Sequence, residues 1–174
     1  VKKQFPVPGT ALADILGDAS KRTAFHKKIQ FVNKYMVFAY RAGLLPLLGA
    51  GRSLMLLDTL GRKSKARRYF PVSYVSLEGD IYLVSAWGKD SNWYKNIVAY
   101  PDDVRLQVGF RRFMVRPECI EGPEERRKIV VAMIEKSPKD AARLFGWNPQ
   151  TDRIEDSDFS LLQEKVLFVR FLPR

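Results

Sequence analysis

The chain is poor in the residues that build stapled folds or histidine chemistry. Of its 174 residues one is cysteine, Cys119, and one is histidine, His26. A lone cysteine forms no internal disulfide and no thiolate cluster. His26 sits in a predicted helix, where a satisfied or exposed histidine is the commoner case, so neither a catalytic triad nor a histidine-based metal site is expected. This cysteine usage suits a reducing compartment, so a cytoplasmic location is expected. Long apolar runs are also missing. The most apolar stretch, Leu44 to Leu60, is interrupted by Pro46, Arg52 and Asp58, short of the roughly 18–20 apolar residues a membrane span requires. Val1-Lys2-Lys3 is followed by Pro6, Pro8, Gly9 and Asp14, which leaves no hydrophobic stretch for a secretory signal. Neither G-x-x-x-x-G-K-[ST] nor G-x-G-x-x-G occurs, so both nucleotide fingerprints are excluded. No carboxylate pair or activated nucleophile stands out, which argues against hydrolysis and for chemistry brought by a cofactor.

Positive charge, by contrast, is abundant and unevenly placed. The net charge is +11. Residues 1–60 carry nine Lys/Arg and three Asp/Glu, residues 61–116 eleven and five, and residues 117–174 ten and eleven. The excess belongs to the first two thirds, which implies an anionic partner there: nucleic acid, membrane lipid or a charged cofactor.

The order of elements predicts an α+β chain. Apolar residues at Phe25, Ile29, Val32, Met36 and Ala39 predict an amphipathic helix over 22–42, stopped by Gly43. A second stripe, Phe31, Tyr35 and Phe38, widens its apolar face. Six strands are expected at Leu54–Thr59, Tyr69–Ser76, Ile81–Ala86, Val104–Val108, Phe113–Ile120 and Val166–Leu172. Tight turns at Glu78-Gly79-Asp80 and Gly109-Phe110-Arg111 make hairpins of them. A helix over 91–100, with Asp90 or Ser91 as N-cap and Pro101 as terminator, is inserted between the third and fourth strands. Helices over 124–136 and from Ser137-Pro138-Lys139-Asp140 to about Phe145 precede the last strand. That strand is too apolar for an exposed edge and is expected to close a small antiparallel barrel. The expected organisation is a single domain over 1–174, with 1–50 a helical extension and 51–174 the barrel. At this length a chain buries about 70% of the surface its unfolded form exposes.

Two segments carry chemistry. Gly61-Arg62-Lys63-Ser64-Lys65-Ala66-Arg67-Arg68 packs five cations into seven residues with no acid among them. A cationic turn between strands binds phosphate through side chains and backbone N–H groups, or is simply a solvated hairpin. About twenty residues on, Ser85 to Asn96 combines a glycine, amides and two indoles. Trp87 and Trp93 either pack a planar ring or fill the core. Asn92 and Asn96, four apart, share one face of a helix near its positive end. A nucleic-acid-binding barrel, with Trp87, Trp93 or Tyr94 stacking bases, and a non-catalytic carrier of a planar ligand are the alternatives from other classes.

These residues also carry a resemblance. Leu56-Leu57-Asp58-Thr59-Leu60-Gly61-Arg62-Lys63-Ser64, with Arg68 and Pro71, resembles L-x-T-x-G-R-K-S-G-x-x-R-x-x-P of the deazaflavin-dependent nitroreductase-like proteins, flavin and deazaflavin oxidoreductases of split β-barrel fold. Ser85 through Asn96 resembles their S-x-x-G followed by W-Y-x-N. The likeness runs from Phe31 to Leu172 and implies a split antiparallel β-barrel of about six strands, FMN-binding-like, with peripheral helices. It implies a reductase that uses the reduced 8-hydroxy-5-deazaflavin coenzyme (F-420) to transfer hydride to a quinone, enone or nitro compound, with FMN the alternative cofactor of a flavoprotein. By the same resemblance Arg62, Lys63, Ser64 and Arg68 hold phosphate. Ser85, Trp87, Gly88 and Lys89 line the ring or ribityl chain, and Asn92, Trp93 and Asn96 complete the site. Ser85, Tyr74 or Tyr94 is expected to steady the acceptor oxygen or supply a proton. Lys65 stands where the family has a second glycine, and the Ser85–Trp93 loop is shorter than in many members. A peripheral membrane contact is expected through the helix at Phe25–Ala39, flanked by Lys27, Lys28 and Lys34.

Overall fold

The computed structural model describes residues 2–18, 20, 33–49 and 54–174. Seven strands form one antiparallel sheet in the order β3-β2-β6-β7-β9-β5-β4. They are β2 (Leu54–Leu60), β3 (Arg67–Ser73), β4 (Val75–Leu77), β5 (Asp80–Ser85), β6 (Arg105–Val108), β7 (Arg111–Cys119) and β9 (Leu167–Pro173). All six expected strands are present, but Tyr69–Ser76 is not one strand. It breaks at Tyr74 into β3 and β4, which pair with opposite ends of the sheet. The two edges are thus chain neighbours, and the sheet has to curl until they meet. The expected split antiparallel barrel is the result.

The turns follow their residues. Glu78 and Gly79 both take positive φ, 54° and 91°, as a two-residue turn between Leu77 and Asp80 demands. Gly109 and Phe110 join Val108 to Arg111 in another two-residue turn, in which the glycine alone takes positive φ, 59°. The last strand, β9, is paired on both sides, with β7 and with β5, which satisfies the backbone of its apolar run.

Two small strands lay outside the expectation. β1 (Lys3–Gln4) pairs in parallel with β8 (Ser157–Asp158), and Lys3 Nζ lies 2.8 Å from the Asp152 carboxylate. This latch seats Phe5 against Phe145, Trp147 and Phe159.

The expected helices at 91–100, 124–136 and 138–145 are α4 (Asn92–Ala99), α5 (Pro123–Lys136) and α6 (Pro138–Phe145). Ser137 caps α6 by accepting from the Asp140 N–H. Ser91 holds the N-cap position of α4 differently: its hydroxyl donates back to the Gly88 carbonyl at 3.0 Å, steadying the preceding turn. Short helices α1 (Ala11–Gly17) and α7 (Ser160–Lys165) were not expected. Of the N-terminal helix, residues 22–32 lie outside the described residues. Residues 33–41 form helix α2, Gly43 stops it at φ 81°, and α3 (Leu44–Leu47) follows.

Apolar burial falls into two clusters. Met55, Leu57, Leu83, Trp93, Leu106, Val115 and Phe171 fill the barrel. Phe5, Ile129, Val130, Phe145, Trp147, Phe159, Leu162 and Phe168 fill the space between its outer wall and helices α5, α6 and α7. Successive residues of β9, Phe168 and Val169, face opposite clusters. Each such fully buried side chain contributes about 1.5–3 kcal/mol.

Candidate active site

The β2–β3 turn is built by its own backbone. Gly61 donates to the Ala66 carbonyl at 2.9 Å and accepts from the Lys65 N–H at 2.7 Å. A Cβ on Gly61 would stand 2.7 Å from Ser64 Oγ and 3.3 Å from the Ala66 carbonyl oxygen, so a larger residue there has to displace the Ser64 hydroxyl. The Ser64 hydroxyl accepts from Arg68 Nη2 at 3.3 Å. Lys65 sits at φ 54°, a left-handed conformation that disfavours a side chain. This explains why related motifs carry glycine at that place.

Of the five cations in this segment, Arg67 is turned away. It bonds to the Asp58 carboxylate at 3.4 Å and the Asp103 carbonyl at 2.8 Å. Arg62, Lys63, Lys65 and Arg68 have no carboxylate partner among the described residues. Four unneutralised cations held within one short turn repel each other and favour an anion between them.

Helix α4 locks this turn in place. The buried Asn96 accepts the Arg62 N–H at 3.1 Å and donates to Thr59 Oγ1 at 3.3 Å. Asn92, one turn earlier, accepts from Arg62 Nη1 at 3.3 Å. The two amides that their spacing puts on one helix face both meet the cationic turn, and Asn96 meets its backbone.

Beside these amides on α4, Trp93 lines an apolar cavity of about 340 Å³. Val72 and Ser73 of β3 and Leu83 to Ser85 of β5 border it. Beyond Tyr82, β5 has no β4 partner, so the cavity occupies the seam where the curled sheet stays open. Ser85, Trp87 and Trp93 are brought together here. The cationic turn and this cavity lie at opposite ends of β3, which puts them about 17 Å apart along the strand. Residues with no chemical signal in the sequence complete the wall: Val130 and Met133 of α5, Phe145 of α6 and Leu162 of α7.

Other expected site residues fall elsewhere. Pro71 stands on the edge strand β3 opposite Leu56, where its missing N–H is tolerated, and lines neither turn nor cavity. Gly88 and Lys89 lie in a single helical turn after Trp87 and are not among the cavity's walls. Tyr74 marks the β3–β4 break, its carbonyl bonded to Lys136 Nζ at 2.9 Å. Tyr94 packs edge-on to Trp93. Burial, and then the neighbouring Cys119 thiol, raise the Tyr94 pKa. Of the three candidates for the acceptor oxygen, only Ser85 borders the cavity.

On the outer face of the same sheet Arg41, Asp58, Tyr69, Arg105 and Arg112 surround a second hollow of about 360 Å³. It was not anticipated from the sequence, because its residues come from four strands and α2. Burial raises the Asp58 pKa against the pull of Arg67, Arg105 and Arg41.

Among curated proteins none is similar to this chain. A solved F420-H2 dependent reductase (FDR-A) is 27% identical, over 71% of this chain and 95% of its own, with a TM-score of 0.46. A conserved hypothetical protein from Mycobacterium tuberculosis is 18% identical over 70% and 73% of the two chains, with a TM-score of 0.48. General Stress Protein 26 from Bacillus anthracis is 12% identical over 70% and 79%, with a TM-score of 0.44. The F420H(2)-dependent quinone reductase family model matches residues 27–146, a span that holds the cationic turn, α4, the seam and most of α5 and α6. The chain is an F-420-dependent reductase, and it belongs to the F420H(2)-dependent quinone reductase family.

Proposed function

We propose that the β2–β3 turn holds the phosphate of reduced F-420 and that the seam cavity receives its ring together with a quinone. The observation that carries this reading is the joining, by one helix, of four unneutralised cations to an apolar cavity open at the barrel seam. The donor set fits the coenzyme: three guanidinium or ammonium groups and a hydroxyl for phosphate, then indoles and aliphatic side chains for a planar ring. Reduced F-420 supplies the hydride. The chain supplies the rest. Arg62, Lys63 and Arg68 fix one end of the ligand, the apolar wall excludes water, and Ser85 donates a hydrogen bond to the acceptor oxygen where charge develops. Burial raises the Tyr94 pKa further above neutrality, and its hydroxyl faces Cys119 rather than the cavity.

The test is oxidation of reduced F-420 by the purified protein with menadione under argon, followed by the return of visible absorbance. Turnover with menadione and none with a nitroaromatic supports the quinone, and the reverse result overturns it. Of the three aromatics that a nucleic-acid reading would stack on bases, Trp93 is only 7% exposed and Trp87 borders the cavity, which supports the reductase reading over it. For the N-terminal helix, the exposure of Tyr35 and Phe38 supports a peripheral contact with an anionic membrane, where lipid quinones reside.

A further inference from the structure

The second apolar stripe of α2 faces outward. Phe38 is 73% exposed, and beyond Gly43 Leu47 is 74% and Leu48 83% exposed. Phe110, at the tip of the β6–β7 turn, is 65% exposed. Although distant in sequence, these tips form one surface. A Cβ on Gly43 would lie 3.2 Å from the Phe110 ring. The Tyr40 hydroxyl ties α2 to the same turn, accepting the Gly109 N–H at 2.9 Å and donating to the Leu54 carbonyl at 2.9 Å.

Arginines border this surface. Arg41 lies between Phe38 and Leu44 in sequence, and Arg111 and Arg112 follow Phe110. Arg41, Arg105 and Arg112 open onto the 360 Å³ hollow beside it. Leu56 and Leu106 also line it, and its one carboxylate, Asp58, is shared with Arg67. Guanidinium groups around a recess match the oxygens of a phosphodiester. Exposed leucine and phenylalanine tips beside them match the acyl boundary below it.

A second copy of the chain would fit poorly. A two-fold contact through this patch sets one ring of arginines against its equivalent, with one partly neutralised carboxylate per copy to offset four cations. Nucleic acid fits less well than a bilayer, because Leu44, Leu47 and Leu48 cannot stack on bases and only Phe38 and Phe110 of these exposed tips could.

We propose that the α2–α3 corner and the β6–β7 turn form a docking surface for an anionic phospholipid bilayer, with the arginine-lined hollow taking a lipid phosphate. The proposal rests on the membrane reading above, but assigns the contact to residues 38–48 and 110–112 rather than to the helix at 25–39. It requires nothing of the seam cavity, with which the hollow shares no lining residue.

The experiment is co-sedimentation of the full chain with vesicles of phosphatidylcholine alone and with added phosphatidylglycerol. The expected result is recovery with the phosphatidylglycerol vesicles only. Loss of two arginines in R41Q/R112Q lowers that affinity about tenfold or more. L48S/F110S abolishes recovery, while the far-ultraviolet circular dichroism of both variants matches the parent. Millimolar inorganic phosphate leaves recovery unchanged, because the free anion lacks the acyl contact. Parent and variants sedimenting alike would overturn this surface and leave the membrane reading standing, whereas no recovery of the parent overturns both. Displacement by inorganic phosphate would reassign the hollow to a soluble anion. A concentration-dependent dimer lost in L48S/F110S would make the patch an interface between copies and overturn the proposal.

Discussion

Asn96 holds Arg62 by its backbone, not by its charge: the amide oxygen accepts the Arg62 N–H at 3.1 Å while the amide nitrogen reaches Thr59 Oγ1 at 3.3 Å. One side chain thereby fixes both the end of β2 and the start of the cationic turn. Asn96→Ala leaves a buried hydroxyl and an N–H without that partner and is expected to cost about 2 kcal/mol. Urea unfolding measures this, and F-420 titration should weaken in parallel because the turn loses its anchor. Unchanged stability with unchanged affinity would remove the anchoring role.

Side chains on the turn act on the ligand and not on the core. Lys63→Ala and Arg68→Ala are each expected to weaken F-420 binding by about 1.5–3 kcal/mol, the range of a charged hydrogen bond, with thermal midpoints close to the parent's. Titration of all variants with oxidised F-420 checks this. Parent-like binding by both would place the phosphate elsewhere.

Lys65→Gly removes the strain of a side chain at φ 54°. The expected gain is about 1 kcal/mol, partly offset by the greater freedom of glycine in the unfolded chain. A lower unfolding midpoint in Lys65→Gly would show that the lysine stem earns its place by contacts.

Met133 borders the seam cavity from α5. Met133→Trp fills part of its 340 Å³ and is expected to slow quinone reduction more than tenfold while the fold is kept, since a half-buried position tolerates added bulk at about 1–3 kcal/mol. Steady-state rates and a thermal melt on one preparation separate the two effects.

The N-terminal latch carries a pH signature. Burial by itself would raise the Asp152 pKa, but the Lys3 ammonium and the Asn148 N–H, both at 2.8 Å, outweigh it and lower the value. A depressed folded pKa contributes stability above the unfolded carboxylate value, near about 3.9, which is lost as pH falls through the folded value. Lys3→Ala is therefore expected to cost up to about 1 kcal/mol at neutral pH and less in acid. Urea unfolding at both pH values checks it, and an equal difference at both would sink the linkage.

Much of this was readable from the residues. The hairpins at Glu78-Gly79 and Gly109-Phe110 are local turn chemistry, and the pairing of Asn92 with Asn96 is helix spacing. The charge of the turn is plain in the sequence. Its division is not: Arg67 alternates to the outer face of β3 and is spent on Asp58 and Asp103, contacts that strand direction decides. Tyr69–Ser76 reads as one strand because the break at Tyr74 is imposed by curling, which no local pattern encodes. The cavity wall of α5, α6 and α7 reads as ordinary helix core, since its neighbours are brought to it only by the finished barrel. Two-residue strands such as Lys3–Gln4 have no periodicity to detect.

The central position of β9 has a consequence for synthesis. Until residues 167–173 are synthesised, the sheet can pair only as two ribbons, β3-β2-β6-β7 and β5-β4, linked by the chain at Tyr74 and again through α4 between β5 and β6. The nascent chain therefore completes its hydrogen-bonded sheet only once β9 is available to pair with both β7 and β5.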